Sequence, residues 1–272
     1  VKPQDIKKEK LEIFNIGRVL NDKVEEFDEV IGRDKEINEV IEVLLRKKKS
    51  NPLLIGPAGV GKTAIVEELA KRINAKDVPF PLLNKKIIDL PMGDLVSGTK
   101  YRGEFEERLT KIIKEVIKNK DIILFIDEVH TMVNAGGAEG AINAGDILKP
   151  YLARGELKVI GATTTEEYEK FIAKDKALER RFETILVTEP SLDETKEILL
   201  GLKSSYENHH NIKITNQNIE DIVFLASKYL FKKKNPDKTI DLLDSVCAYV
   251  KRKNILKEEL ITLEQKAQEL TK

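Results

Sequence analysis

An α/β architecture followed by a small all-helical unit is the fold class this sequence predicts, and three observations predict it. Five short apolar runs lie between residues 52 and 187, each without polar alternation and separated by helical stretches. Such runs suit strands covered on both faces, which means a parallel sheet wrapped by helices. After Pro190 the strand signal stops, and apolar residues recur only at three- and four-residue spacing. Size is the third observation: 272 residues suggest about two structural units at roughly 150 residues each.

The elements follow in order. Residues 1–20 are charged, with Leu11, Phe14 and Leu20 in a loose helical spacing interrupted by Gly17, and read as a linker or leading helix. The α/β unit is expected over 21–190, with strands at Pro52–Ile55, Ile87–Leu90, Ile122–Ile126, Val159–Ala162 and Ile185–Val187. Three amphipathic helices are expected over 191–254, marked by Leu199, Leu202 and Tyr206, by Ile222, Leu225, Ala226 and Tyr229, and by Ile240, Leu243, Cys247 and Val250. Cys247 on that apolar stripe reads as a buried small hydrophobe. Residues 255–272 carry Leu256, Leu260, Leu263, Ala267 and Leu270 at heptad intervals, the expected start of a helical or coiled-coil segment. That unfinished pattern, and Val1 in place of Met, fit an excerpt of a longer chain.

Composition narrows the function classes. Lys plus Arg and Asp plus Glu are 47 each, so the formal net charge is +0, which argues against a chain built to coat nucleic acid or an anionic membrane. A single cysteine excludes an intramolecular disulfide framework, and three histidines, two of them the adjacent His209 and His210, speak against a histidine metal site. No apolar run approaches the ~18 residues of a membrane span, and Val1–Lys10 lacks a signal-peptide core. The expectation is a soluble protein of the cytoplasm, with an organelle stroma or matrix also compatible.

The strongest chemical signal is Gly56-Pro57-Ala58-Gly59-Val60-Gly61-Lys62-Thr63, a complete G-x-x-x-x-G-K-[ST] placed after one apolar run and before a helix. Its glycines let successive backbone N–H groups point at phosphate oxygens, and the following helix adds its positive end. Lys62 then reaches the β- and γ-phosphates of ATP, and the Thr63 hydroxyl can hold Mg²⁺. Ile122–Ile126 delivers Asp127 to the carboxyl edge of the sheet, where it can hold the Mg²⁺ water shell, with Glu128 next to it to orient the attacking water. An acidic pair at that position can instead cap a helix. Thr163, Thr164 and Thr165 follow the next strand, where a hydroxyl can position water or simply cap the helix before Glu166 and Glu167. Arg180 and Arg181 fit a solvated surface and a charge-stabilising role on a neighbour's nucleotide equally well.

Together these residues resemble the AAA+ modules of the Clp ATPases, from about Leu11 to about Asn254. The resemblance rests further on Val30–Arg33, Gly98–Leu109, Leu148–Leu157, Gly161–Thr164, Ala177–Phe182 and Pro236–Leu242. It implies a P-loop AAA+ sheet with a helical lid, Mg-ATP held between the two, and adenine contacts from Val30, Ile31, Ile198 and Pro236. It also implies that Thr164 senses the nucleotide and that Arg180 and Arg181 are arginine fingers reaching the next subunit of a homo-hexameric ring. Tyr101, between Lys100 and Arg102, matches the family's substrate pore loop, and Asn134–Gly140 matches a second one. Gly98-Thr99 and Gly136–Glu139 are closer to the ClpC or ClpE subfamilies than to ClpB, whereas Pro57-Ala58 and Tyr151 depart from those subfamilies. The implied activity is ATP hydrolysis coupled to unfolding and threading of polypeptides, for disaggregation or for delivery to a Clp protease ring, with co-chaperones or adaptors as further partners. Two rival readings are a P-loop ATPase that remodels nucleic acid, which the zero net charge disfavours, and a scaffold whose assembly is gated by nucleotide.

Overall fold

Six strands form one sheet: β1 Arg18–Val19, β2 Asn51–Ile55, β3 Lys86–Asp89, β4 Ile122–Ile126, β5 Val159–Thr163 and β6 Phe182–Leu186, in the order β1-β3-β4-β5-β2-β6. The computed structural model describes residues 11–97, 102–134 and 144–270. All neighbouring strands run parallel except β1, which pairs antiparallel with β3. The five expected strands are present, four within a residue of their anticipated ends and β6 beginning three residues earlier than expected.

Coverage on both faces explains the unalternating apolar runs. β2, β4 and β5 are buried at every position. Leu53, Ile55, Leu124 and Ile126 pack in one cluster with Leu109, Ile112 and Val116 of the helix Arg102–Lys118 and with Leu148 and Leu152 of the helix Ala144–Arg154. Their alternates Leu54, Ile87, Ile123, Phe125 and Ile160 are fully buried too, as period-two side chains of a doubly covered sheet must be.

Residues 11–20 differ from the linker or leading helix expected of them. Only Ile13–Ile16 is helical, and Arg18 and Val19 then pair with Asp89 and Ile88 to add an edge strand. Ile13 is fully buried and its N–H donates to Glu115 at 3.2 Å. Gly17 makes the turn between them possible, because a Cβ there would lie 2.4 Å from Ile88 Cγ2 and 2.8 Å from the Ile13 carbonyl.

The chain divides into two compact units. The first holds residues up to Phe27, Arg33–Pro57 and Gly61–Thr188; the second holds Asp28–Gly32, Ala58–Val60 and everything from Glu189 onward. The second unit is built on three helices, Leu192–His210, Asn216–Tyr229 and Asp237–Leu270. Ser191 and Thr215 open the first two through capping boxes completed by Glu194 and Asn218, and Asn211 ends the first in the left-handed conformation. Their shared core is Leu199, Leu202, Ile219, Leu243 and Cys247 with their neighbours. Cys247 is buried as expected, and burial, with the Asp244 charge, pushes its thiol above the ordinary range. The third helix runs without a break into the heptad stretch.

Candidate active site

The sheet's register brings the candidate residues to one edge. β2 lies between β5 and β6, with Ile55 opposite Thr163, while β4 lies on the other side of β5, with Ile126 opposite Gly161. The residues that follow Ile55, Ile126 and Thr163 therefore emerge side by side at the carboxyl ends of parallel strands, where ligands of α/β folds collect. Those residues are the glycine-rich loop, the acidic pair and the threonine run.

After β2 the Gly56 N–H donates to the Thr163 carbonyl at 3.3 Å, tying the start of the loop to the neighbouring strand. Gly59 and Gly61 hold φ of 78° and 94°, a conformation that glycine adopts without a Cβ penalty. Gly61 is the N-cap of the helix Lys62–Asn74, so the helix's free N–H groups face the loop. The Lys62 ammonium donates to the carbonyls of Gly56 at 2.9 Å and Pro57 at 2.8 Å. Burial pushes its pKa down, against the charges of Asp127, Glu167 and Glu128, so the lysine is a partly desolvated cation facing carboxylates.

The Thr63 hydroxyl donates to Asp127 Oδ2 at 2.9 Å. Asp127 Oδ1 accepts the N–H of Glu128 at 2.8 Å, which orients the carboxylate. Two hard oxygen groups this close, both exposed, fit Mg²⁺, which takes one or two protein oxygens and completes its octahedron with water and phosphate. Glu128 itself has φ of 48°, a left-handed conformation that a non-glycine residue rarely keeps without a functional reason.

Of the roles that its sequence position allows, Thr164 shows the helix cap. It is the N-cap of the short helix Thr165–Glu167, closed as a capping box by Glu167, and it stands at the strand edge beside the acidic pair. Arg180 and Arg181 follow the helix Lys176–Glu179; Arg180 is exposed, and among the described residues neither guanidinium has an ion-pair partner. Within the second unit, Ile31 packs against the cluster that contains Ile198, so two of the four expected adenine contacts share one core. Val30 is half-buried, and the Pro236 carbonyl accepts from Thr239 and Ile240 at the start of the third helix.

Sequence reading missed four further polar residues, three in the first unit and Asp237 in the second. Asp89 ends β3, and burial together with the Asp127 charge pushes its pKa up against the pull of Arg18. Asp237 opens the third lid helix and donates its N–H to the Gly59 carbonyl at 3.3 Å; a Cβ on Gly59 would lie 2.8 Å from Asp237 Cβ. His130 and Glu167 are linked to the threonine run, as described below. Lys100 and Tyr101 lie outside the described residues, as does most of Asn134–Gly140; Arg102 enters only as the first residue of its helix.

A glycine-rich loop, a hydroxyl-carboxylate pair and a following glutamate at the edge of a parallel sheet define a P-loop nucleotide-binding protein with a helical lid. The chain belongs to the ATPase family associated with various cellular activities (AAA): residues 52–189 match that family and residues 191–272 match the AAA lid domain. It is 54% identical over 246 residues to the chaperone protein ClpB of Oceanobacillus iheyensis, covering 90% of this chain and 30% of that one. It is 56% identical over 227 residues to the ATP-dependent Clp protease ATP-binding subunit ClpC of Staphylococcus epidermidis, covering 84% and 28%. The solved S. cerevisiae Hsp104:casein complex in its extended conformation superposes with a TM-score of 0.81 at 44% identity, covering 88% of this chain and 41% of that one. The chain thus spans less than a third of the length of the ClpB and ClpC relatives. The expected AAA+ module of Clp type is borne out, and identity alone does not separate ClpB from ClpC.

Proposed function

We propose that this chain is the ATP-hydrolysing module of a ring-forming Clp chaperone that unfolds and threads polypeptides. The observation that carries the reading is the Thr63–Asp127 hydrogen bond at 2.9 Å, beside Lys62 and Glu128, in an AAA chain. The Gly56–Gly61 backbone holds the triphosphate of ATP, Lys62 pairs with its β- and γ-oxygens, and Val30, Ile31, Ile198 and Pro236 contact the adenine. Mg²⁺, when bound, neutralises charge across the β- and γ-phosphates. Thr63 would hold it directly and Asp127 through water. Glu128 takes the proton of the attacking water, and Thr164 orients that water or a γ-phosphate oxygen. Arg180 and Arg181 stabilise the developing charge in the next subunit of a homo-hexamer.

Substrate work falls to Tyr101. One ring on a loop between Lys100 and Arg102 grips chains of any sequence by apolar contact, while its neighbours meet carboxylates. The casein in the Hsp104 complex and the chaperone and protease names of the relatives support a polypeptide substrate; a Clp protease ring or an adaptor, in the cytoplasm, is the further partner in this reading. Among the described residues, no helix is long and apolar enough to cross a membrane. The test is Tyr101→Ala in the assembled full chain. Unfolding of a fluorescent substrate is expected to be lost while ATP turnover is retained; unfolding at the unaltered rate would contradict threading by this loop.

A further inference from the structure

Behind Thr164 lies a polar chain to which no step of hydrolysis has yet been assigned. The Thr164 hydroxyl donates to Glu167 Oε2 at 2.8 Å, its N–H reaches the same oxygen at 3.3 Å, and the Glu167 N–H returns to Thr164 Oγ1 at 3.3 Å. The other carboxylate oxygen, Oε1, stands 3.1 Å from His130 Nε2. His130 Nδ1 in turn stands 3.1 Å from Thr163 Oγ1. His130 and Thr163 are buried, at 7% and 2% exposure, and the imidazole stacks on Phe171. With a proton on Nε2 the imidazole donates to Glu167, while its Nδ1 meets the Thr163 hydroxyl.

The chain links the two strands that carry the chemistry. His130 lies two residues beyond Glu128, after β4, whereas Thr163 and Thr164 end β5. Glu167 bridges them, and its pKa shows what it faces: burial raises it, but the Thr164 hydrogen bonds, His130 and the Lys62 ammonium together hold it below the ordinary value. A capping box alone needs one carboxylate oxygen and no histidine. Here the second oxygen is anchored from behind, which fixes the carboxylate plane and hence the direction in which the Thr164 hydroxyl points. That hydroxyl has a single proton. It is committed to Glu167, and it must turn away before it can donate to a water or a phosphate oxygen.

We propose that the buried His130 and the partly exposed Glu167 are positioning residues for ATP hydrolysis, a pair that aims the Thr164 hydroxyl and so sets the rate of turnover. The proposal rests on the reading of Thr164 as the nucleotide-sensing residue. The experiment uses the assembled full chain and compares steady-state ATP turnover and nucleotide affinity for Thr164→Ala, Glu167→Gln, His130→Asn and the double variant Thr164→Ala/Glu167→Gln. Gln retains the capping box but cannot accept from His130 and Thr164 as a carboxylate does. Glu167→Gln and His130→Asn are each expected to lower kcat about tenfold, with nucleotide affinity changed by less than about twofold. In the Thr164→Ala background, Glu167→Gln is expected to cost less than about twofold further, because the hydroxyl it positions is gone. Turnover at the unaltered rate in Glu167→Gln, or a full additional loss in the double variant, would overturn the positioning role while Thr164→Ala remained slow. An unaltered kcat in Thr164→Ala would instead reject the sensing role and the positioning role with it.

Discussion

The α/β unit and the helical unit bury their apolar residues by different means. In the first, β2, β4 and β5 have no exposed position, because helices cover both faces of the sheet. In the second, each helix buries one stripe and leaves apolar residues on its other side exposed: Leu192 is 50%, Phe224 and Tyr229 are 60% and Tyr249 is 49% exposed. A doubly covered sheet leaves only its strand ends free, so polar chemistry is confined to one edge. Helices that each bury one stripe keep a broad outer face.

That contrast can be broken most sharply at its core. Phe125→Ala, which empties a fully buried site in β4, is expected to cost about 3–5 kcal/mol of stability, measured by denaturant unfolding. A loss below about 1 kcal/mol would mean that the sheet is not covered on both faces. Next comes the edge chemistry: Lys62→Ala is expected to lower ATP turnover per bound nucleotide, and nucleotide affinity with it, on the order of 100-fold, while the melting temperature barely moves.

A smaller effect belongs to the second unit. Glu189 accepts from the Asn235 N–H at 2.9 Å and pairs with Lys234 and Lys238. Burial raises its pKa, but those partners outweigh it and hold the group below its ordinary 4.5. A depressed folded-state pKa contributes stability that is fully present above 4.5 and is lost as pH falls through the lower folded value. Glu189→Gln is therefore expected to cost on the order of 1 kcal/mol at neutral pH and to flatten the acid limb of a melting-temperature profile. Smallest of all is Phe231→Ala, whose exposed ring predicts a stability change within about 0.5 kcal/mol.

The same contrast explains what the sequence revealed. Doubly buried strands and one-striped helices each leave a periodic signature, so five of six strands and all three lid helices were legible. β1 was not, since two residues are too few to show a period and only Gly17, cramped against Ile88, hints at it. At the site, Gly56–Thr63, Asp127, Glu128 and Thr164 follow from strand-end position and side-chain chemistry. The His130–Glu167 bridge does not, because 37 residues separate its members and only the adjacency of β4 and β5 brings them together. Asp89 and Asp237 were missed for the same reason: each meets a neighbour distant in sequence, Asp127 for the first and Gly59 for the second.

The account stands or falls on Glu128, the one residue of the acidic pair held in a left-handed conformation at the sheet edge. Single-turnover hydrolysis and nucleotide binding of Glu128→Gln, measured side by side on the assembled chain, test it directly. Nucleotide affinity retained within about twofold, with hydrolysis slowed on the order of 100-fold or more, is the predicted result. Hydrolysis at the unaltered rate would contradict it.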